Sequence, residues 1–345
     1  MSYRLGIDVG GTFTDLLLFN NKTGELKLEK TPSTPADQSI GILEGIHKIV
    51  ERNNLSTDDI DLILHGTTVA TNAVLEEKGA LVGLITTKGF EQILHVARSQ
   101  TPGPLAGWII MQKPDPLAPL YLTRGVSCRM SAKGAEMTAI DDDEVRRFIK
   151  ELHDAGIEAL TVSLINSFAN NSHERRIRDI AAEMYPDLPV TISTDILPEF
   201  REYERCLTTV MNSYVRPKMA NYLKGIQDKL ADAKIDSTVN IVRSDGGVMS
   251  IEAAKKSPVN TLLSGPSGGA VAAAYVGELA GFDKVLGFDM GGTSTDVCVT
   301  MGGQPNLVRE TRVARTPHVF RHGIGRERDA GDVGRGRIGA PTTNA

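Results

Sequence analysis

Residues 6–15 read Gly-Ile-Asp-Val-Gly-Gly-Thr-Phe-Thr-Asp, and residues 287–296 read Gly-Phe-Asp-Met-Gly-Gly-Thr-Ser-Thr-Asp. The two stretches differ only where Ile7 becomes Phe288, Val9 becomes Met290 and Phe13 becomes Ser294. Each follows an apolar run and precedes another, Leu16–Phe19 in the first copy and Val297–Val299 in the second. An apolar run broken by paired glycines and then resumed predicts two antiparallel strands joined by a tight turn. Paired glycines also let backbone N–H groups approach an anion with no side chain in the way, and the threonine hydroxyl adds a donor. Asp8 and Asp289, at the strand ends, are placed to hold a divalent cation. Magnesium keeps several waters and binds few carboxylates, so the contact is expected through water. One copy alone reads most simply as a glycine-tight hairpin. Two copies in the same strand context read as a pair of phosphate loops gripping a polyphosphate from both sides.

Working outward, Asn21-Lys22-Thr23-Gly24 is a second turn, and Leu26 and Leu28 alternate with charges in a third strand. A helix follows, with Thr34 as its expected cap, Pro35 in its first turn and Ile42, Ile46, Ile49 and Val50 on one face. Strands are expected at Leu62–Leu64, running into His65-Gly66-Thr67-Thr68, and at Leu81–Ile85. The stretch Thr101–Pro119 carries five prolines and Trp108, the single tryptophan, too dense for a regular element. Helices are expected over 141–153, around Ile177–Met184 and over 201–230, the last broken or kinked at Pro217. Further strands are expected at 159–164, at 239–242 before a Ser244-Asp245-Gly246-Gly247 turn, and at 285–288, with an alanine-rich helix over 270–279. Strand–helix alternation throughout predicts an α/β protein.

The chain has 345 residues, enough for two or three domains, and its 41% hydrophobic and 23% charged residues suit a globular core. A net charge of −5 and a pI near 5.9 argue against a nucleic-acid binder that works by phosphate neutralisation. Cys128, Cys206 and Cys298 form no CxxC pair, which excludes a zinc ribbon or disulfide framework and suits a reducing compartment. There is no apolar run of membrane-spanning length, and the chain enters a strand pattern at once. A cytoplasmic protein without a membrane span is therefore expected.

The duplicated Asp-x-Gly-Gly-Thr hairpin resembles the phosphate-1 and phosphate-2 loops of the actin/Hsp70/sugar-kinase ATPase superfamily. A closer resemblance, over roughly residues 3 to 313, is to the hydantoinase A/5-oxoprolinase family. Beside the two loops it is carried by His65-Gly-Thr-Thr-Val-Ala-Thr-Asn-Ala73, Thr86-Thr-Lys-Gly-Phe90, His173-Glu-Arg-Arg176, Pro198-Glu-Phe-Arg-Glu-Tyr-Glu-Arg205, Ser244-Asp-Gly-Gly247 and Ser264-Gly-Pro-Ser-Gly-Gly269. The resemblance implies an actin-like (ribonuclease H-like) ATPase fold with mixed sheets and an incomplete second lobe. It implies ATP and Mg2+ as cofactors and a lactam or imide carbonyl, of hydantoin or 5-oxoproline type, activated by phosphorylation for ring opening. In the family-level mechanism the carbonyl oxygen attacks the γ-phosphate, and the phosphorylated imidate is then open to water. A hydantoinase B-type subunit or domain and an oligomer are implied as partners. Relatives carboxylate ketones, which makes a ketone carboxylase subunit one rival; an inactive fragment that binds a partner is another. A sugar kinase fits the middle motifs less well.

By the same resemblance, Asp8 and Asp289 hold magnesium. Gly10, Gly11, Thr12, Thr14, Gly268, Gly269, Gly291, Gly292 and Thr293 line the nucleotide, and Asp15 joins the two aspartates as catalytic. Asp15 and Asp296 read equally as hairpin ends. His65, Thr67 and Thr68 are candidate substrate contacts, although a helix cap with a satisfied histidine fits them equally. Asp245 reads as a turn residue and His173–Arg176 as a capped helix start. Pro198–Arg205 reads as a cleft or interface segment set against a solvated helix face. The organisation expected is an N-terminal lobe over 1–190 with an inserted segment at about 100–140, the start of a second lobe over 191–315, and an atypical, disordered tail over 316–345. That tail is rich in Arg and Gly, lacks apolar period and leaves the family pattern, as a lost reading frame or truncation near residue 316 would produce. His318 and His322 in it read as chance spacing.

Overall fold

Leu5, Ile7 and Val9 alternate with inward and outward neighbours along β1 (Tyr3–Val9), and Leu16 and Leu18 do the same along β2 (Phe13–Asn20). That period of two buries one face of each strand. The structure, a computed structural model, describes residues 2–34, 37–98, 115–290 and 295–305, together with the backbone of short strands between residues 307 and 324. Trp108 with most of the proline-rich stretch lies outside the described residues, as do Gly291, Gly292 and Thr293.

In chain order the elements are β1, β2, β3 (Leu26–Pro32), α1 (Gln38–Arg52), β4 (Ile60–Thr67), α2 (Val69–Leu75), β5 (Val82–Thr87), α3 (Ile93–Val96) and β6 (Thr123–Val126). A small hairpin follows, β7 (Arg129–Met130) and β8 (Glu136–Thr138), then α4 (Asp142–Asp154), β9 (Ala159–Ser163), α5 (Ser172–Met184), β10 (Val190–Ile192) and α6 (Ser193–Ile196). After these come α7 (Glu202–Asp232), β11 (Thr238–Val242), β12 (Val248–Ser250), α8 (Ile251–Lys256), α9 (Ser264–Leu279), β13 (Lys284–Met290), β14 (Thr295–Met301) and β15 (Gln304–Pro305).

The chain divides into two units. The first holds residues 1–76, 218–311 and 322–345; the second holds 77–217 and 312–321. In the first unit a six-stranded mixed sheet runs β12-β11-β4-β1-β2-β3. β1, β2 and β3 are antiparallel neighbours, as the opening of the sequence predicts, and β4 and β11 join parallel to β1. Its core joins Leu5, Ile7, Leu16 and Leu18 to Ile42, Ile46 and Ile49 of α1 and to Met219, Leu223 and Ile226 of α7. A second sheet, β13-β14-β15, repeats the β1–β2 hairpin in the same register: Asp8 faces Asp15 and Asp289 faces Asp296. The repeat stops short of the original. β1 has β4 on its outer side, whereas β13 has no partner strand there among the described residues. Leu5, Ile7 and Val9 are buried; their counterparts Leu286, Phe288 and Met290 are 65%, 63% and 70% exposed.

The second unit is built on an all-parallel sheet, β10-β9-β5-β6. Both faces of β5 and β9 are buried, the usual state of a parallel sheet. Val145, Ile149 and Leu152 of α4 and Ile177 and Ile180 of α5 supply its helical core.

Several local expectations are corrected. The cap of α1 is Asp37, whose carboxylate accepts from Ser39 N, and Thr34 assists by accepting from Gly41 N at 3.1 Å. β4 runs through Thr67, because pairing with β1 continues to Val9. α7 is one uninterrupted helix through Pro217. Proline inside a helix costs about 3 kcal/mol, and burial of Met211 and Val215 before it and Met219 and Leu223 after it offsets that cost. α9 begins at Ser264, taking in Gly265, Gly268 and Gly269, because Ser264 and Ser267 anchor its first turn as described below. Among the described residues no helix is long and apolar enough to cross a membrane.

Candidate functional site

The first hairpin turn is held by its own backbone and by one serine. Gly10 N–H donates to Phe13 O at 3.0 Å, closing the turn, and Ser33 N–H donates to Thr12 O at 2.9 Å. Ser33 Oγ donates to Gly10 O at 2.8 Å and stands 3.0 Å from Thr14 Oγ1. Gly10 N–H is therefore spent inside the turn, and Thr14 is fully buried and spent on Ser33. Neither Gly11 N–H nor Thr12 N–H has a partner among the described residues, and both residues are exposed. A Cβ at Gly10 would come 3.1 Å from Phe13 O, whereas one at Gly11 would meet nothing within 4 Å. The protein's own packing gives no reason for glycine at 11.

Asp8 lies across from Asp15 on β2 and from Gly66 on β4. A Cβ at Gly66 would come 3.3 Å from Asp8 Oδ1, so a larger residue there would crowd the carboxylate. Surrounding protein raises the Asp8 pKa above its ordinary 3.8; Asp15 and Asp289 raise it further and Lys30 opposes them. The side chain is nonetheless exposed at its surface. Its exposure governs access, and the protein and acids around it govern its charge. The described ends of the two hairpins thus bring Asp8 and Asp289 into electrostatic reach of each other.

α9 starts beside this edge. Ser264 Oγ donates to Thr67 O at 3.0 Å, Leu263 N–H donates to Thr71 Oγ1 at 3.2 Å, and Ser267 Oγ donates to Ser244 O at 2.6 Å. Leu263 takes the left-handed conformation, φ +66°, to turn the chain into the helix. A helix N-terminus presents unpaired N–H groups and a positive dipole end, which favours anions. A Cβ at Gly265, Gly268 or Gly269 would meet nothing within 4 Å.

His65 is 1% exposed, and its Nε2 lies 2.7 Å from Tyr222 Oη. Burial pushes its pKa down to about 4. Thr67 is also buried, its Oγ1 accepting from Val69 N at 3.2 Å, so of the three candidate substrate contacts only Thr68 keeps partial exposure. Asp245 sits in a β-turn and accepts from Gly247 N at 3.0 Å, as the sequence predicts. Ser33, Tyr222 and Lys30 were not singled out from the sequence. Ser33 and Tyr222 are brought to the hairpin and to β4 by tertiary contacts, and Lys30 carries no motif.

The second unit bears on two other readings. His173–Arg176 does open α5, although Asn171 before it makes no side-chain cap bond. Glu174 is fully buried at the start of α5 and accepts from Leu164 N, Ser193 Oγ, Thr194 N and Thr194 Oγ1. Arg205 is 1% exposed and donates to Ser193 Oγ, Glu199 O and Leu164 O. Glu204 and Arg205 of the Pro198–Arg205 run are therefore interior, whereas Pro198, Phe200, Arg201 and Glu202 stay exposed. The Arg205 end of the run ties together the polar interior of this unit.

Among the described residues no three His, Cys, Asp or Glu side chains gather into a metal cage. The site fits instead a hydrated cation held by one or two carboxylates, the mode magnesium prefers. The surplus negative charge around Asp8, with unspent N–H groups at Gly11 and Thr12, fits such an ion together with a phosphate chain.

Sequence models of the hydantoinase/oxoprolinase N-terminal region and of the hydantoinase/oxoprolinase domain match residues 4–185 and 205–322. The chain belongs to the hydantoinase/oxoprolinase family. The second match ends at residue 322, six residues past Thr316. The caprolactamase subunit alpha of Pseudomonas jessenii is 32% identical over 317 residues, which cover 91% of this chain and 45% of that protein. The acetophenone carboxylase gamma subunit of Aromatoleum aromaticum is 33% identical over 312 residues, covering 86% of this chain and 42% of that one. The structure of nucleotide-free acetone carboxylase matches with a TM-score of 0.85 at 27% identity, over 94% of this chain and 47% of that one. The ATP-dependent caprolactamase structure matches with a TM-score of 0.79 at 30% identity, over 94% and 48%. This hydantoinase/oxoprolinase chain thus has the fold of an actin-like ATPase lobe and spans about half the length of the relatives it matches.

Proposed function

We propose that this chain carries the nucleotide-binding part of an ATP-dependent enzyme that activates a cyclic amide carbonyl, of lactam, hydantoin or 5-oxoproline type, for hydrolysis. The observation that carries this reading is the repeated hairpin, in which Asp8 faces Asp15 and Asp289 faces Asp296 in the same register and the Asp-x-Gly-Gly-Thr pattern recurs. The resemblance to an ATP-dependent caprolactamase supports it.

Asp8 and Asp289 would hold a hydrated Mg2+, and Gly11 and Thr12 would donate their unspent N–H groups to phosphate oxygens. Gly10 and Thr14 serve the same loop by fixing its shape through Phe13 O and Ser33. Gly268 and Gly269 keep the first turns of α9 free of side chains, so that backbone can approach an anion. Gly291, Gly292 and Thr293 are assigned the matching role in the second loop on sequence alone. Bound MgATP supplies a phosphoryl group that makes a carbonyl oxygen a leaving group. The protein's share is positioning and charge stabilisation, the main resources of phosphoryl-transfer catalysts. Thr68 remains a substrate contact; His65 and Thr67 support it from the interior. The two related chains are named as subunits, which supports a partner chain of hydantoinase B type and an oligomer. A cytoplasmic setting would keep Cys128, Cys206 and Cys298 as the free thiols they are.

The acetone carboxylase match favours one second reading, an ATP-dependent ketone carboxylase subunit. Nucleotide consumption with caprolactam, hydantoin or 5-oxoproline, set against acetone plus bicarbonate, separates the two.

Calorimetric titration of MgATP into the purified chain tests the site itself. Wild type should bind, and Asp8→Ala should lose at least about tenfold in affinity, the scale of a charged contact. A folded wild-type chain that binds no nucleotide, or an Asp8→Ala variant that binds equally well, would sink the assignment.

A further inference from the structure

Lys30 on β3 lies across from Asp15, and Asp15 lies across from Asp8, so the three side chains form one row over three strands. All three are exposed. Lys30 Nζ stands 2.6 Å from Asp15 Oδ1 and 5.2 Å from the centre of the Phe13 ring at the end of the loop. Its charge reaches Asp8, where it opposes the effect of Asp15 and Asp289. An open ion pair of this kind contributes little to folding. Nothing in the packing explains why a cation should stand beside a loop whose Gly11 and Thr12 N–H groups have no partner among the described residues.

We propose that Lys30 is the cationic phosphate contact of the first loop, and that Asp15 is its positioning partner. The proposal rests on the nucleotide reading above. A phosphate chain would enter a place already crowded with carboxylates. A hydrated divalent ion can serve Asp8 and Asp289, but Gly11 and Thr12 contribute only backbone dipoles. A full positive charge on a long, rotatable stem is what the loop otherwise lacks. Asp15 holds the amine over the loop while the site is empty and releases it to the stronger anion when phosphate arrives. Asp15 thereby gains a role distinct from the metal contacts of Asp8 and Asp289.

Fluorescent MgATP-analogue binding should be measured for wild type, Lys30→Gln, Lys30→Arg, Asp15→Asn and Asp8→Ala, with circular dichroism and thermal unfolding as fold controls. Lys30→Gln should weaken binding about tenfold, the scale of one charge-assisted hydrogen bond, and should flatten its dependence on salt. Lys30→Arg should restore both. Asp15→Asn should bind as tightly as wild type or more tightly, because it frees the amine. A role in holding the fold would move none of these in that pattern. If wild type binds and Lys30→Gln binds equally, Lys30 is only a surface ion pair and the proposal falls alone. If Asp15→Asn weakens binding, Asp15 is a direct contact and its positioning role is overturned. If wild type binds no nucleotide, the broader site assignment falls and takes Lys30 with it.

Discussion

A histidine can be an exposed ligand or a core residue, and burial puts His65 in the core, with Nε2 bonded and Nδ1 left without a hydrogen-bond partner among the described residues. The ring lies under the sheet, bonded to Tyr222, with its pKa pushed down from 6.5 to about 4. An unfolded chain would take up a proton near 6.5, and the folded one resists until about 4. The stabilisation is therefore complete above the unfolded pKa and is lost as pH falls toward the folded one. The difference is roughly 3 kcal/mol. His65→Gln should flatten the fall in urea midpoint over that window, at a cost of about 1 kcal/mol at neutral pH for the weakened Tyr222 bond. An unchanged pH slope would show that the ring is not held neutral. Arg205 teaches the same lesson for a group that keeps its charge. It sits in a run with the composition of a surface, and the convergence of Ser193, Glu199 and Leu164 on its guanidinium holds Arg205 itself in the interior.

Helices in this chain begin where side chains can anchor them, and that governs α9. Glycine in a helix costs about 0.5–1 kcal/mol relative to alanine. Gly268 and Gly269 have open space where a Cβ would go and no positive φ to require glycine. The double change Gly268→Ala/Gly269→Ala should stabilise the protein by about 1 kcal/mol and, on the proposed function, weaken MgATP binding. Thermal unfolding and calorimetry read the two effects. Greater stability with undiminished binding would mean that no phosphate approaches this turn. The start of α9 was only half legible in the sequence. The Ser264–Gly269 motif is recognisable, but the alanine-rich pattern that predicts helix starts only at Ala270. The anchoring bonds come from the end of β4 at Thr67 and from the turn after β11 at Ser244. Likewise Asp37 rather than Thr34 caps α1, a choice between neighbours that propensity alone does not make.

Over the whole molecule, the duplicated hairpins meet different surroundings. Leu5, Ile7 and Val9 are sealed in a core, while Leu286, Phe288 and Met290 stand open to solvent, as do Tyr275, Val276 and Leu279 of α9 at 60%, 61% and 71%. Leu286, Phe288 and Met290 alternate onto one face of β13, the face away from α9; on the other face a Cβ at Gly287 would come 3.0 Å from Ala273. An exposed apolar row of this kind binds hydrophobic dyes and promotes association. The purified chain should enhance the fluorescence of anilinonaphthalene sulfonate and self-associate as its concentration rises. Leu286→Lys with Phe288→Lys should reduce both, read by dye titration and light scattering. Dye binding that the double variant leaves unchanged would mean the face is covered in solution.

The sequence by itself determined the hairpin pair, the antiparallel opening of the first sheet, the α/β alternation and the family, because these rest on local pattern: period-two burial, paired glycines and motifs spelled out in consecutive residues. It also put Asp8 at the end of the first strand and Gly11 and Thr12 in the turn, which is where the structure has them. The tertiary structure alone decided that Thr14, His65 and Thr67 are interior, that Ser33 staples the loop, and that Lys30 and Asp289 bring their charges to Asp8. Each of those outcomes depends on which strand or helix lies alongside. Partners distant in the chain, and the water they exclude, set burial and charge in ways that no short window of residues records.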